Sequence, residues 1–401
     1  MSKPQPLAGI RVVEFVHMVM GPSCGLILAD LGADVIKVEP VPDGDNTRRL
    51  VGGASGFFIN FNRNKRSLAI DLKSKEGQEV VRRLIGTADV VTENFRPGAL
   101  EKLGFGYPQL AEFNPRLVYC SLKGFLSGPY EQRTALDEVV QMMGGLAYMT
   151  GPKGRPLRAG TSVNDIMGGM FAVIAILAAL RERDRTGRGQ NLTASLFENC
   201  AFLSSQHMAA EAITGRPMNP FPERTHSAWG VYDIFATRDG SQLFVAIVTD
   251  TQFQNFCDEF GRADLKADPA NATNNARVTA RPRLIPALAE ILGGLPKAEI
   301  MERCEKIGVS YAPINTPSDL FDDPHLKAGG LLPVEMPGGG TAHLPGLPME
   351  FAGARLPFRR QPPLLGEHGA EILAELGYGD GEIERMRTSG TLVTAPTREA
   401  R

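Results

Sequence analysis

The sequence predicts an α/β protein: a large domain built on a mostly parallel sheet, then a smaller α+β domain. Three observations carry this. Short β-branched runs alternate with segments of helical period through the first 125 residues, and strands and helices alternating at that spacing make a parallel sheet covered on both faces. Pro- and Gly-rich stretches break the chain near residues 214 and 313, which marks linkers. A length of 401 residues exceeds one ordinary domain and allows a core that needs no covalent staples.

The elements follow in order. "IRVVEF" (10–15) and "ADVIKVE" (33–39) read as strands, and the apolar spacing after Gly21-Pro22 suits a helix between them. The β-α-β pattern recurs with "SLAIDL" (67–72), a helix over 74–88, "DVVTENF" (89–95), a helix near "PQLAEFNP" and "LVYCSLKGF" (117–125). Glycines 144, 145 and 151 interrupt it, and Asp165 to Arg185 then reads as one long buried helix, so the large domain runs over 1–213. Residues 214–228, "TGRPMNPFPERTHSA", form the first linker. The small domain (229–312) opens with a hairpin around Asp239-Gly240 and continues in helices. A second linker covers 313–360, and terminal helices occupy 361–401.

Charge is nearly balanced, with 43 Lys and Arg against 45 Asp and Glu, which argues against nucleic acid or an anionic membrane as partner. Five widely spaced cysteines without a C-x-x-C suggest neither disulfides nor zinc and fit a reducing cytoplasm. Six scattered histidines form no metal motif. The apolar run "FAVIAILAAL" (171–180) is far short of a membrane span. The expectation is a soluble protein with no metal and no redox cofactor.

Familiar nucleotide and hydrolase motifs are missing. The first strand-to-helix turn reads "HMVMGPSCG", without the G-x-G-x-x-G that lets backbone approach a pyrophosphate, and there is no G-x-S-x-G elbow. What stands out is "TSVNDIMGGMFAVIAILAALRERDRTGRGQ" (161–190), where Asp165 opens an oily helix. Taken alone it reads first as a cap favoured by the helix dipole, with a reactive carboxylate as the alternative that its neighbours strengthen. Gly168 and Gly169 each cost about 1 kcal/mol inside a helix relative to alanine, so they are expected to leave room for a substrate. The arginines at the far end complement the helix C-terminus. Asn64, Lys65, Arg66 and Lys73, then Asn94, Arg96 and Lys102, surround the ends of successive strands. Each group alone is a solvated face; together they are expected to offer cations to a phosphorylated ligand.

In this order, "PLAGIRVVEF", "GPSCGLILADLGADVIKVE", "NRNKRSLAIDLK", "ENFRPGALEKLGFGY", "NDIMGGMFAVIAILAAL", "RTGRGQ" and "PLLGEH" resemble the class III CoA-transferases, the formyl-CoA transferase and carnitine CoA-transferase family. The resemblance implies a Rossmann-like large domain completed by the C-terminal helices, a small domain, two long linkers and an interlocked homodimer. It implies that Asp165 is the nucleophile, acting through aspartyl anhydride and aspartyl-CoA thioester intermediates on an acyl-CoA substrate. It places CoA contacts at Met18, Ile70, Lys73, Asn94, Phe95, Lys102 and Leu103, with Arg96 beside them, and lines the active site with His17, Val19, Asp137, Gly168 and Gly169.

Departures from the formyl-CoA enzymes point to another acid. Val19 replaces a glutamine, Pro40 an arginine and Asp137 a tyrosine, and "IVTDT" (247–251) stands where those enzymes have a glycine-rich loop. The neighbourhood of "GFL" (124–126) and "LDEVVQ" (136–141) is similar to members that handle short dicarboxylates, which implies a succinyl-CoA donor and a C3–C5 dicarboxylate or sulfinate analogue. Arg133, Arg224 and His226 are candidates to grip its remote carboxylate. The alternatives are an α-methylacyl-CoA racemase of the same fold, whose histidine-aspartate signature is absent from "RTALDEVVQ", and a non-catalytic CoA-binding protein.

Overall fold

The computed structural model describes residues 4–221 and 228–395. By contacts the chain divides into two compact units, one formed by Met1–Pro220 with His325–Arg401 and the other by Phe221–Pro324.

The first unit is built on a seven-stranded sheet. Its strands are β1 (Arg11–Phe15), β2 (Asp34–Glu39), β3 (Arg66–Ile70), β4 (Val90–Glu93), β5 (Val118–Lys123) and β6 (Asn191–Ser195). They pair in parallel, and the last strand, β14 (Leu392–Val393), pairs antiparallel with β3 at the edge. The spatial order β14-β3-β2-β1-β4-β5-β6 reverses direction between β1 and β4. Such a switch point opens a crevice at the carboxyl ends of its two strands, where open α/β sheets bind ligands.

Helices cover both faces, as β-α-β connections require. On one face α1 (Met20–Asp30), α7 (Val163–Thr186) and α8 (Leu196–Thr214) bury Leu28, Ile176, Leu180 and Cys200 against Val12, Val35, Val90 and Val118. On the other, α3 (Lys75–Gly86), α4 (Tyr107–Phe113), α14 (Gly369–Glu375) and α15 (Asp380–Thr388) pack Leu84, Leu110, Ile372 and Met386 against Val13, Phe15, Ile36 and Ile70. The short helices α2 (Phe57–Phe61), α5 (Asp137–Met143) and α6 (Leu146–Thr150) fill the connections. All five cysteines are free and buried.

Three expectations change here. At 24 residues α7 is long and apolar enough to cross a membrane by composition, so the helix exceeds the ten-residue run read from sequence. It is a core helix, with Ala172, Val173, Ile176 and Ala179 packed into the sheet cluster. The stretch 313–360, expected to be linker, holds the hairpin β10 (Leu331–Glu335) and β11 (Thr341–Pro345) and the two-residue pair β12 (Glu350–Phe351) and β13 (Ala354–Arg355). Alternating side chains outweigh the prolines there, because Pro333 and Pro345 sit on strands with only one neighbour, where a missing N–H is tolerated. Lastly, β6 and α8 carry little apolar periodicity and were not anticipated. Of the first linker, residues 222–227 lie outside the described residues.

The second unit has its own core. Strands β7 (Val231–Ala236), β8 (Gln242–Ile247) and β9 (Ser310–Pro313) form an antiparallel sheet. The first two are joined at Gly240, whose positive φ of 74° fits the Asp-Gly turn. Helices α9 (Asp250–Glu259), α10 (Ala263–Ala267), α11 (Asn274–Gly293) and α12 (Lys297–Ile307) cover it, with Phe253, Phe256, Leu284 and Leu288 against Val231, Val245 and Ile247. A single turn, α13 (Pro324–Lys327), follows.

Candidate active site

The site is assembled where β1 and β4 end. The amide of His17 donates to Asn94 Oδ1 at 2.9 Å, and Asn94 Nδ2 donates to the His17 carbonyl at 2.8 Å. One asparagine thereby satisfies both backbone groups of the opposite loop and ties the two lips of the crevice together. The His17 ring lies 5.4 Å from that of Phe95, and burial keeps its pKa below the usual value. Met18 follows with φ of 63°, exposed and in the left-handed region. For a non-glycine residue that conformation costs about 1–3 kcal/mol, a strain that clusters at functional sites.

Beneath this loop runs a buried ionic ladder. Lys37 Nζ donates to the Val16 carbonyl at 2.7 Å and pairs with Asp45 at 2.9 Å; Lys65 Nζ contacts both Glu14 oxygens at 2.8 and 3.1 Å, the Pro22 carbonyl and Asn62. These ties fix the carbonyls on either side of the His17–Met18 turn. They also correct the reading of Asn64, Lys65 and Arg66 as a group that offers cations to a ligand. Lys65 is fully buried, its ammonium brought down to about 8 by burial against the pull of Glu14. Arg66 is held by Asp34, Glu371 and Glu375, and Asn64 by Asp30 and the Arg359 and Arg360 amides.

Lys73, Arg96 and Lys102 stand exposed on the loops that follow β3 and β4, with no ion-pair partner among the described residues. Phe95 is exposed beside them, and its carbonyl accepts from Lys123 Nζ at 2.8 Å. Ile70 and Leu103 differ. Ile70 is completely buried and paired with Leu392, so its side chain offers a ligand nothing, and Leu103 packs half-buried on the core. Arg133 is exposed and its guanidinium stacks on the Tyr130 ring at 4.8 Å. Arg224 and His226 lie outside the described residues.

Asp165 sits in the first turn of α7, half-buried, and its carboxylate has no hydrogen-bond partner among the described residues. Ile166, next to it, packs on Val19, Leu26 and Phe61, so the start of α7 abuts the start of α1 just past His17 and Met18. Val19 is therefore buried packing and not an exposed lining residue. The glycines act likewise. A Cβ at Gly168 would come 2.7 Å from Met20 Cε, and one at Gly169 would come 2.9 Å from the Met20 carbonyl and 3.0 Å from the Cys24 amide. The body that approaches this turn is α1, not a substrate, which corrects the expectation for both positions.

Asp137 is the residue whose place the sequence did not disclose. Fully buried in the first turn of α5, it accepts from the amides of Asn164 at 2.8 Å and Asp165 at 3.1 Å, and Gln141 Nε2 donates to its other oxygen. Gln141 Oε1 accepts in turn from the Ala159 amide at 2.8 Å. The electrostatics of Asp165 accordingly reverse the expectation of a dipole-stabilised anion. Burial, then the Asp137 and Glu138 carboxylates, raise its pKa to about 7 against the opposing pull of Arg158. Gln141, Glu138, Arg158 and Lys123 were missed by sequence reasoning. The i, i+4 spacing of Asp137 and Gln141 was the one available signal.

A sheet switch point, with exposed cations on the loops after β3 and β4 and a basic carboxylate where the start of α7 meets α1, defines an α/β enzyme equipped for acyl chemistry on an anionic substrate. The family model for CoA-transferase family III matches residues 7–369, and the chain belongs to that family. It is 38% identical over 405 residues to the succinate–glutarate CoA-transferase of Agrobacterium fabrum, covering 96% of this chain and 98% of that one. To the human succinyl-CoA:glutarate CoA-transferase it is 33% identical, covering 98% and 91% respectively. A crystal structure of a CAIB/BAIF family protein from Brucella suis superposes with a TM-score of 0.82 at 37% identity, over 94% of this chain and all of that one. The protein is thus a CoA-transferase, and its substrate is an acyl-CoA.

Proposed function

We propose that this enzyme moves CoA from succinyl-CoA to a short dicarboxylic acid of C3–C5 length, or to a sulfinate analogue, with Asp165 as the covalent acceptor. The observation that carries the reading is Asp165 itself: a half-buried carboxylate, unpartnered among the described residues and made basic by its surroundings, in the first turn of α7 where it meets α1. The relatives named for succinate and glutarate support the choice of acids.

The Asp165 carboxylate attacks the thioester carbonyl of the donor, and the C–S electron pair leaves as CoA thiolate. The mixed anhydride so formed is attacked by that thiolate at the Asp165 carbonyl, which releases the donor acid and leaves an aspartyl-CoA thioester. The acceptor carboxylate then runs both steps in reverse. Covalent catalysis divides one hard exchange into easier ones, and retention of the thiolate supplies it at high effective concentration. Lys73, Arg96 and Lys102 are placed to meet the CoA phosphates, Asn94 and Phe95 to form the crevice wall, and His17 to orient the reacting groups.

The enzyme works as a homodimer in this proposal, interlocked as the family resemblance implies. The outer faces of α7 and α8 leave Phe171, Ile174, Leu177, Phe202, Met208 and Ile213 exposed, an apolar surface of the kind that marks an interaction site. The five buried free thiols support a reducing, cytoplasmic setting.

Incubation with succinyl-CoA, hydroxylamine trapping and peptide mapping test the reading. The expected outcome is a hydroxamate on Asp165 and, with a panel of acids, a new acyl-CoA. The D165A variant is expected to bind CoA and to lose turnover by at least about a thousandfold, the scale on which loss of a nucleophile is felt. An unmodified Asp165, with solvent deuterium entering the α-position of a branched acyl-CoA, would mean proton transfer in place of CoA transfer.

A further inference from the structure

The first turn of an α-helix leaves amide N–H groups that the helix itself cannot satisfy, and in α7 their fates can be traced one by one. The Val163 amide donates to the Thr161 carbonyl at 2.9 Å and that of Ile166 to the Ser162 carbonyl at 3.0 Å. Ser162, at the N-cap, makes no side-chain cap. The two that remain, on Asn164 and Asp165, both point to a single oxygen of Asp137. Its second oxygen is taken by Gln141, which is itself anchored to the Ala159 amide. The Asp137 carboxylate is therefore fixed at both oxygens, in the position an anion at the end of α7 would take.

Resting on the reading of Asp165 as covalent acceptor, we propose that Asp137 is a positioning residue: it occupies the open amides of α7 and denies them to Asp165, the reacting carboxylate. The helix terminus, ordinarily a stabiliser of anions, is spent on a neighbour that takes no part in the bond making.

The advantage lies in how the anhydride divides. When the CoA thiolate attacks the donor's acyl carbon, the bond to the bridging oxygen breaks, Asp165 leaves as carboxylate, and the starting acyl-CoA is regenerated. When it attacks the Asp165 carbonyl carbon, the donor acid leaves with the bridging oxygen and the aspartyl thioester forms. The less basic carboxylate is the better leaving group. Simple dicarboxylic acids ionise in the ordinary carboxylate range, so an Asp165 of higher basicity favours the aspartyl thioester in the donor half-reaction and, by the same bias, slows the closing attack that expels Asp165 in the acceptor half. The same basicity makes Asp165 the stronger nucleophile in the opening step.

The charged groups facing Asp165 are Asp137 and Glu138 from α5 and Arg158 from the segment before α7, the last two paired with each other. The test is the pH dependence of Asp165 acylation in the full-length enzyme. Timed exposure to succinyl-CoA between about pH 4 and pH 9, quenched into hydroxylamine at one fixed pH, gives the midpoint by peptide mass. The wild-type midpoint is expected near 7. In D137N the amide oxygen still accepts from both backbone N–H groups while the negative charge is gone, so the midpoint is expected to fall by about one unit or more. E138Q leaves the cap intact and is expected to move the midpoint the same way by less. An unmoved midpoint in a D137N enzyme that still labels at Asp165 overturns the proposal. A wild-type midpoint near the ordinary aspartate value of about 3.9 overturns it too, whatever the fate of the variant. Absence of label on wild-type Asp165 at every pH overturns the acceptor reading itself, and the two failures are distinguishable.

Discussion

Asp165 is held in a place that suits chemistry better than stability. Its pKa, raised to about 7 by burial and by Asp137 and Glu138, exceeds that of an aspartate in the unfolded chain. Between about pH 4 and 7 the folded state therefore binds more protons than the unfolded state, and stability falls as pH rises through that window. Above 7 the full penalty is present, and below 4 it vanishes. D165N removes the charge with little change of shape, so it is expected to melt a few degrees above wild type at pH 8, with the gain shrinking to nothing near pH 4. Calorimetry of both proteins across that range checks the sign; a D165N less stable than wild type at pH 8 would contradict it. The candidate nucleophile was legible because a carboxylate heading an oily helix is conspicuous in one dimension. Its partner was not: Asp137 lies 28 positions earlier, beyond the reach of any periodicity. Lys65 and Arg66 misled for a related reason, since a buried ion pair and a solvated cation are spelled with the same letters.

The contact of α1 with α7 shows how two adjacent glycines can do different jobs. A methyl group at Gly168 meets only the flexible end of Met20, whereas at Gly169 it meets the backbone of Met20 and Cys24, which cannot yield without moving α1. G168A is expected to be neutral or stabilising, by up to about 1 kcal/mol from helix propensity. G169A is expected to lose about 1–3 kcal/mol through overpacking and, by displacing the start of α1, to lower turnover as well. Chemical denaturation and steady-state rates of the two variants measure the contrast, and equal losses would show that the helices do not touch as described. Alternating strands and helices were legible through β5 because each is marked by a change of hydrophobic period. By contrast, β6 alternates over only five residues with just two apolar ones, too short a run to stand out, and α8, with apolar residues all round, shows no single stripe.

At the level of the entire first unit, the exposed apolar faces of α7 and α8 ask for a partner, and the proposed one is a second copy of the chain. I174K places a charge in the middle of that surface, where neither the core nor the crevice is disturbed. Sedimentation is expected to show a dimer for the wild type and a tenfold or greater weakening of association for I174K, about 1.4 kcal/mol or more. A wild-type monomer would end the dimer proposal. The order of strands was beyond sequence reasoning in one respect: nothing in "TLVTAP" announces that Leu392 and Val393 complete a sheet begun near residue 11.

That distant strand bears on how the molecule is made. β3 is flanked by β2 on one side and on the other by the last described turns of the chain: β14 pairs with it, Thr391 accepts from the Asp71 amide, and Gly366 donates to Ser67. Because a ribosome delivers residues in order, β4, β5, β6 and the whole second unit emerge while this edge of β3 still has no neighbour. The nascent protein thus carries an unpaired strand, the ordinary template for aggregation, until residues 366–393 have been made. A chain cut before Gly366 would keep that edge open, which makes residues 366–393 a seal on biosynthesis as much as a part of the fold.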